Sequence, residues 1–119
     1  MKTSRRSVLS LLVMVAVIAA GGQWWASRQQ LALGQQLAAQ SGPGDIRMLS
    51  STTCSICTSA RVWFKVHEVK FDECFIESDR DCAALFEATR SPGTPVILVK
   101  GRPLVGFDPE RIRAALGRS

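Results

Sequence analysis

Cys54-Ser55-Ile56-Cys57 is the stretch with the clearest capacity for chemistry. Two thiols two residues apart can form a reversible disulfide, supply half of a soft-metal site, or make a structural bridge. The working species in thiol exchange is the thiolate, and a free cysteine is mostly protonated near neutral pH. A helix N-terminus helps, because its first N–H groups are unpaired and carry partial positive charge. Residues from Ser55 onward have helical spacing, so Cys54 falls just ahead of a helix and Cys57 one turn inside it. On that reading Cys54 is the exposed attacking thiol and Cys57 the resolving one. Ser55 offers a hydroxyl between them and Ile56 an apolar lip. A purely structural bridge loses weight, because closing so short a loop removes little unfolded-state entropy.

Compartment bears on the choice. The chain opens on a basic stretch with Lys2, Arg5 and Arg6, followed by Val8 to Ala20, apolar except for Ser10. Residues 1–26 therefore read as a signal peptide or a signal-anchor helix. Small residues at Val17-Ile18-Ala19 and Ala19-Ala20-Gly21 suit cleavage. The uncharged run from Val8 to Ala26, with Trp24 and Trp25 at its far end, suits an anchor whose basic flank stays in the cytoplasm. Either way the remainder is exported. The expected location is a bacterial cell envelope, on the periplasmic side of the inner membrane. An even count of four cysteines in an oxidising compartment makes disulfides the default.

The formal net charge of +5 does not describe the exported part. Lys2, Arg5, Arg6 and Arg28 precede it, and from Gly44 onward 11 basic side chains face 10 acidic ones. No basic stripe with interleaved aromatics occurs, which argues against nucleic-acid binding.

Residues 27–44 are rich in Gln, Ala and Leu and read as a helical stalk or a spacer, broken at Ser41-Gly42-Pro43-Gly44. Residues 45–119 form the expected domain. Its first strand falls in Asp45–Ser50, followed by a polar loop in which Thr53 can cap the next helix. Ser55–Glu68 places Ile56, Ala60, Phe64 and His67 on one helical face, flanked by Trp63 and Val66. Val69–Ile76 reads as a strand. A helix capped by Ser78 or Asp79 then carries Cys82, Leu85, Phe86 and Thr89. Val96–Val99 is a continuous apolar run, hence a strand buried on both faces. Lys100–Pro103 is a turn, Leu104–Phe107 a short strand, and Asp108-Pro109 opens a last helix with Ile112, Ala115 and Leu116 inward.

The order β-α-β-α-β-β-α, with Cys-x-x-Cys at the first strand-to-helix junction and Thr94-Pro95 before the third strand, resembles the thioredoxin superfamily. The compact length resembles glutaredoxin. The resemblance covers roughly Asp45 to Leu116 and implies an α/β fold in three layers, α/β/α. It implies Cys54 and Cys57 as the catalytic pair and Thr94-Pro95 as the cis-proline site beside a bound thiol substrate. Thr53, Thr94, Pro95, Gly106 and Phe107 are the implied substrate-binding residues. Three departures stand out. Ser-Ile replaces the Pro-Tyr usual between glutaredoxin cysteines. Phe107 replaces the second Gly of the glutathione-binding turn. Gly106-Phe107-x-Pro109 is closer to the glutaredoxin-like electron donors of ribonucleotide reductase, which are re-reduced as thioredoxin is. The implied partners are protein thiols or disulfides, or a membrane reductant. No resident cofactor is implied, and Phe107 weighs against glutathione as the reductant.

Cys74 and Cys82 admit three readings: a structural disulfide stapling strand to helix, two buried thiols, or a second redox pair. His67 reads as a helix-face or C-terminal-turn residue. Trp63 and Phe64 read as core or groove-lining, and Arg61 and Lys65 as a solvated helix face. Asp72, Glu73 and Glu77 are too scattered for a paired acid–base site. The rival function is a Cys-x-x-Cys carrier of soft copper or zinc, since Thr53-Cys54-Ser55-Ile56-Cys57 also resembles the motif of small heavy-metal-binding domains. That fold has two strands between its helices, whereas one is expected here. Zinc held by all four cysteines is weaker, because Cys74 and Cys82 lack close spacing. The direction of electron flow is left open.

Overall fold

A computed structural model of the chain describes residues 4–118. Lys2 of the basic N-terminal stretch lies outside them. The chain divides between Ala32 and Leu33 into two compact units.

A single helix, α1, runs over Arg5–Gln40. In the N-terminal unit its apolar side chains, among them Leu9, Val13, Ile18, Trp24 and Trp25, are exposed. The Arg28 guanidinium lies 4.2 Å from the centre of the Trp24 ring. Among the described residues this is the one helix long and apolar enough to cross a membrane. A helix apolar all round needs an apolar surrounding, and a signal sequence and an anchor both meet that description.

The second unit holds the rest. Its order is β1 (Ile46–Ser50), α2 (Ser55–Val66), β2 (Asp72–Phe75), α3 (Arg80–Thr89), β3 (Val96–Val99), β4 (Arg102–Val105) and α4 (Pro109–Leu116). The strands form one sheet in the order β2-β1-β3-β4. β1 and β2 are parallel, and α2 supplies the crossover that a parallel pair needs. β1 pairs antiparallel with β3, and β3 with β4. Lys100 and Gly101, with φ of 50° and 83°, make the two-residue turn of the β3–β4 hairpin. That tight turn is why β4 starts at Arg102, ahead of the expected Leu104.

Side chains alternate across the sheet and divide the core in two. Ile46, Met48, Ile97 and Val99 pack on one face with Ala60 and Phe64 of α2 and Ile112, Ala115 and Leu116 of α4. Leu49 and Val96 pack on the other with Cys74, Cys82 and Phe86. Helices on both faces of a mixed sheet give the thioredoxin-like α/β fold.

The C-terminal end of α1 departs from a spacer. Leu33 and Leu37 are buried in the first core cluster. Gly34 is buried against His67, where an added Cβ would sit 2.8 Å from the His67 Cβ. On α2 the buried face is Cys57, Ala60 and Phe64. Ile56 is not on it, being 53% exposed. β2 is shorter than the expected Val69–Ile76. Glu68 takes a left-handed φ of 56°, and Val69 N–H bonds back to Phe64 C=O at 2.9 Å. Val69 therefore closes α2, and pairing with β1 begins only at Asp72.

Candidate active site

The sheet register gathers the candidate residues at one end. Leu49 pairs with Val96, so Pro95 and the end of β1 lie side by side. Gly106 N–H donates to Pro95 C=O at 2.9 Å, and Ile76 N–H to Ser50 C=O at 3.0 Å. The Ser51–Thr53 loop, Cys54, Thr94-Pro95, Gly106 and the start of the β2–α3 connection thus share that end. The Thr94-Pro95 peptide is cis, and Gly106 has φ of +84°.

Cys54 and Cys57 form a disulfide with Cα atoms 5.3 Å apart. Cys54 is the N-cap of α2, and its Sγ accepts the Cys57 backbone N–H at 3.1 Å. The cap therefore belongs to Cys54 and not to Thr53. Thr53 is exposed in the loop, with its N–H on Ser51 Oγ at 3.4 Å. Cys54 is half-buried while Cys57 is fully buried. The N-cap position lays the positive end of the helix on the outer sulfur, where a thiolate gains most.

Two acidic residues that spacing left scattered are drawn to this end. Glu77 accepts the Ser51 hydroxyl and, at 3.1 Å, the Thr52 N–H. The Ser51 hydrogen bond holds the Glu77 carboxyl below the usual carboxylate range. Glu73 makes a bidentate pair with Arg61, Nε–Oε1 and Nη2–Oε2 both at 2.7 Å, and accepts the hydroxyl of buried Ser50 at 2.7 Å. Burial pushes Glu73 up, but the hydrogen bonds from Arg61 and Ser50 outweigh it and hold the carboxyl below its ordinary value. Arg61 is therefore no free solvated residue; it ties α2 to β2. Both acids act through contacts far apart in sequence, which only the β1–β2 register reveals.

Phe107 is half-buried. Its ring centre lies 5.7 Å from Trp63 and 5.4 Å from Phe64, inside an aromatic cluster on the α2 side. His67 is the C-cap of α2, its ring centre 4.3 Å from that of Trp63 and remote from the cysteine end of the helix. Cys74 and Cys82 form a second disulfide, Cα atoms 6.0 Å apart, with 7% and 0% exposure. Among the described residues no three His, Cys, Asp or Glu side chains converge as a metal site would require. A single strand, β2, stands between α2 and α3, unlike the two of a heavy-metal-binding domain.

No protein-family model matches the chain, and no curated protein matches it. A solved structure does: the crystal structure of a point mutant of a thioredoxin-like protein, 21% identical, at a TM-score of 0.55. The match covers 64% of this chain and 99% of that one. It shows the fold.

Proposed function

We propose that the chain is a glutaredoxin-like thiol–disulfide oxidoreductase of a bacterial envelope, held on the periplasmic side of the inner membrane by its N-terminal helix. The observation that carries the reading is the capping sulfur: Cys54 takes the place of an N-cap oxygen and receives the Cys57 N–H. With the pair reduced, the Cys54 thiolate attacks one sulfur of a substrate disulfide. A Cys54–substrate bond forms, the substrate S–S bond breaks, and the departing thiolate takes a proton from solvent. Cys57 then loses its proton and attacks Cys54. The intramolecular disulfide forms, and the second substrate sulfur leaves as a thiolate that is protonated in turn. Two electrons pass from protein to substrate, and the reverse sequence oxidises it. Attack on Cys54 is favoured over attack on Cys57 because the inner sulfur is buried.

Thr94 and Pro95 present backbone to the substrate chain in this reading, with Thr53 and Gly106 at the borders. Phe107 backs the site from the aromatic cluster. Protein thiols and disulfides are the substrates, and a protein or membrane reductant recharges the pair in preference to glutathione.

The test is covalent trapping. Full-length Cys57→Ser, expressed in a bacterial envelope, is expected to accumulate mixed disulfides that dithiothreitol releases. Cys54→Ser is expected to trap none. A Cys57→Ser protein that captures no covalent partner sinks the reading.

A further inference from the structure

Glu77 lies outside the Cys-x-x-Cys motif, yet it holds the loop that carries the motif. Its carboxylate accepts both the Ser51 hydroxyl and the Thr52 N–H. Ser51 C=O in turn accepts the Cys54 N–H at 3.3 Å. The backbone of the capping cysteine therefore follows the place of Ser51. The loop is exposed at Thr52 and Thr53, and the bonds from Thr53 N–H to Ser51 Oγ at 3.4 Å and between the Ser51 and Thr53 hydroxyls at 3.3 Å lie within the loop itself.

Glu77 is itself held. Ile76 N–H is tied to β1 through Ser50 C=O at 3.0 Å, and Phe75 C=O accepts the N–H groups of Ser78 at 3.3 Å and Asp79 at 3.1 Å. Asp79 caps α3 by accepting the Cys82 N–H at 3.1 Å. The Cys74–Cys82 disulfide closes over this whole segment, with both sulfurs in the second core cluster.

We propose that Glu77 is a positioning residue for the Cys54–Cys57 couple, and that the buried Cys74–Cys82 bridge keeps it in place. The proposal rests on the oxidoreductase reading above. A reduced Cys54 gains from the Cys57 N–H only while the loop keeps its sulfur over the helix end. With the loop freed, the capped geometry is populated less and the thiolate is less stabilised, so the Cys54 thiol titrates at higher pH. Loss of the Glu77 charge alone works the other way, since removing a nearby anion favours a thiolate. The sign of the shift separates positioning from simple charge.

The experiment is the pH profile of Cys54 alkylation by iodoacetamide, mapped by mass, on the reduced couple of the full chain in detergent. Glu77→Ala is expected to slow alkylation at neutral pH by about three- to tenfold, the worth of a charge-assisted hydrogen bond at a partly solvated site, and to move the profile to higher pH. Glu77→Gln keeps an acceptor oxygen and is expected to recover most of the rate. The Cys74→Ala/Cys82→Ala double variant is expected to match Glu77→Ala, and adding Glu77→Ala to it to change nothing more. A Glu77→Ala profile that stays in place or moves down overturns the proposal. So do effects of Glu77→Ala and the cysteine pair that simply multiply. Glu77 is exposed, so its single variants decide the positioning claim even where the double cysteine variant fails to fold. An unmoved profile in a chain whose couple is reversible sinks positioning alone. A couple that is not reversible in the unsubstituted chain sinks the oxidoreductase reading and this proposal with it.

Discussion

Cys57 and Cys82 occupy the same place on two helices, and their fates differ because their caps differ. Each is the third residue of its helix and each donates its backbone N–H to the N-cap side chain. On α2 the cap is the sulfur of Cys54, so the cap and the third residue are themselves the disulfide. On α3 the cap is the carboxylate of Asp79, so Cys82 must find its partner on the strand, at Cys74. The first arrangement leaves a half-buried sulfur on the positive end of a helix, at the end of the sheet. The second puts both sulfurs in the core, with an anion already occupying the helix end. In the proposed reading the sulfur in the cap is the one poised for exchange, and the sulfur behind a carboxylate cap serves as a staple. The difference lies in the residue at the cap, Cys54 or Asp79, and not in the third-position cysteines.

The sharpest way to break that contrast is to remove the capping sulfur. Cys54→Ser is expected to reduce disulfide-exchange turnover to background in an insulin or model-peptide reduction assay. A residual rate close to the parent would place the nucleophile elsewhere. The staple is tested by stability. Cys74→Ala/Cys82→Ala is expected to cost about 2–3 kcal/mol in a denaturant melt, and Cys54→Ala/Cys57→Ala less, because its loop is shorter. Equal losses would erase the distinction between the pairs.

Two further substitutions test how α2 is seated. Gly34→Ala pushes a methyl into the His67 ring and is expected to cost about 1–3 kcal/mol, as overpacking does, while leaving both disulfides formed. A melt unchanged by Gly34→Ala would mean that the Leu33–Gln40 end of the helix does not pack on the domain. Arg61→Ala leaves Glu73 without its bidentate partner, and at this partly exposed site the loss is about 1–2 kcal/mol. That difference depends on pH. The carboxyl of Glu73 is held below its ordinary value in the folded chain. Its pairing therefore stabilises the fold at pH above the unfolded value, about 4.3, and the contribution fades as pH falls through the folded value. Parent and Arg61→Ala melts are expected to converge as the pH drops from the unfolded value through the lower folded one. Curves that stay parallel would show that the ion pair is not what Arg61 contributes.

Much of the fold was legible because it is written locally. Helical spacing from Ser55, the Val96–Val99 apolar run and the Asp108-Pro109 start each declare an element through neighbouring residues. The order of elements then carries the resemblance. What was not legible depends on contacts between distant segments. Leu33 and Leu37 look like any stalk leucines until the core that receives them is in place. Ile56 shares the helical period of Ala60 but lies at the open first turn, beside the capping residue, where the inward position falls to Cys57. Thr53 has the side chain of a cap, but the turn from Ser51 to Cys54 hands that place to the sulfur. Within the site the cysteine spacing was plain in the sequence, whereas the pairing of Cys74 with Cys82 was one of three readings. The Arg61–Glu73 pair and the hold of Glu77 on Ser51 and Thr52 were invisible, because each joins segments distant in sequence and no local pattern encodes it.

The most direct test of the contrast is a redox titration of the full chain in detergent. The protein is equilibrated in metal-free thiol–disulfide buffers of graded potential and quenched with an alkylating agent, and each cysteine is mapped by mass. Cys54 and Cys57 are expected to titrate together as one reversible two-electron couple, while Cys74 and Cys82 stay bridged at every potential in which that couple changes state. If Cys74 and Cys82 open first or in step with it, or if Cys54 and Cys57 form no reversible couple, the division between exchanging pair and staple is wrong.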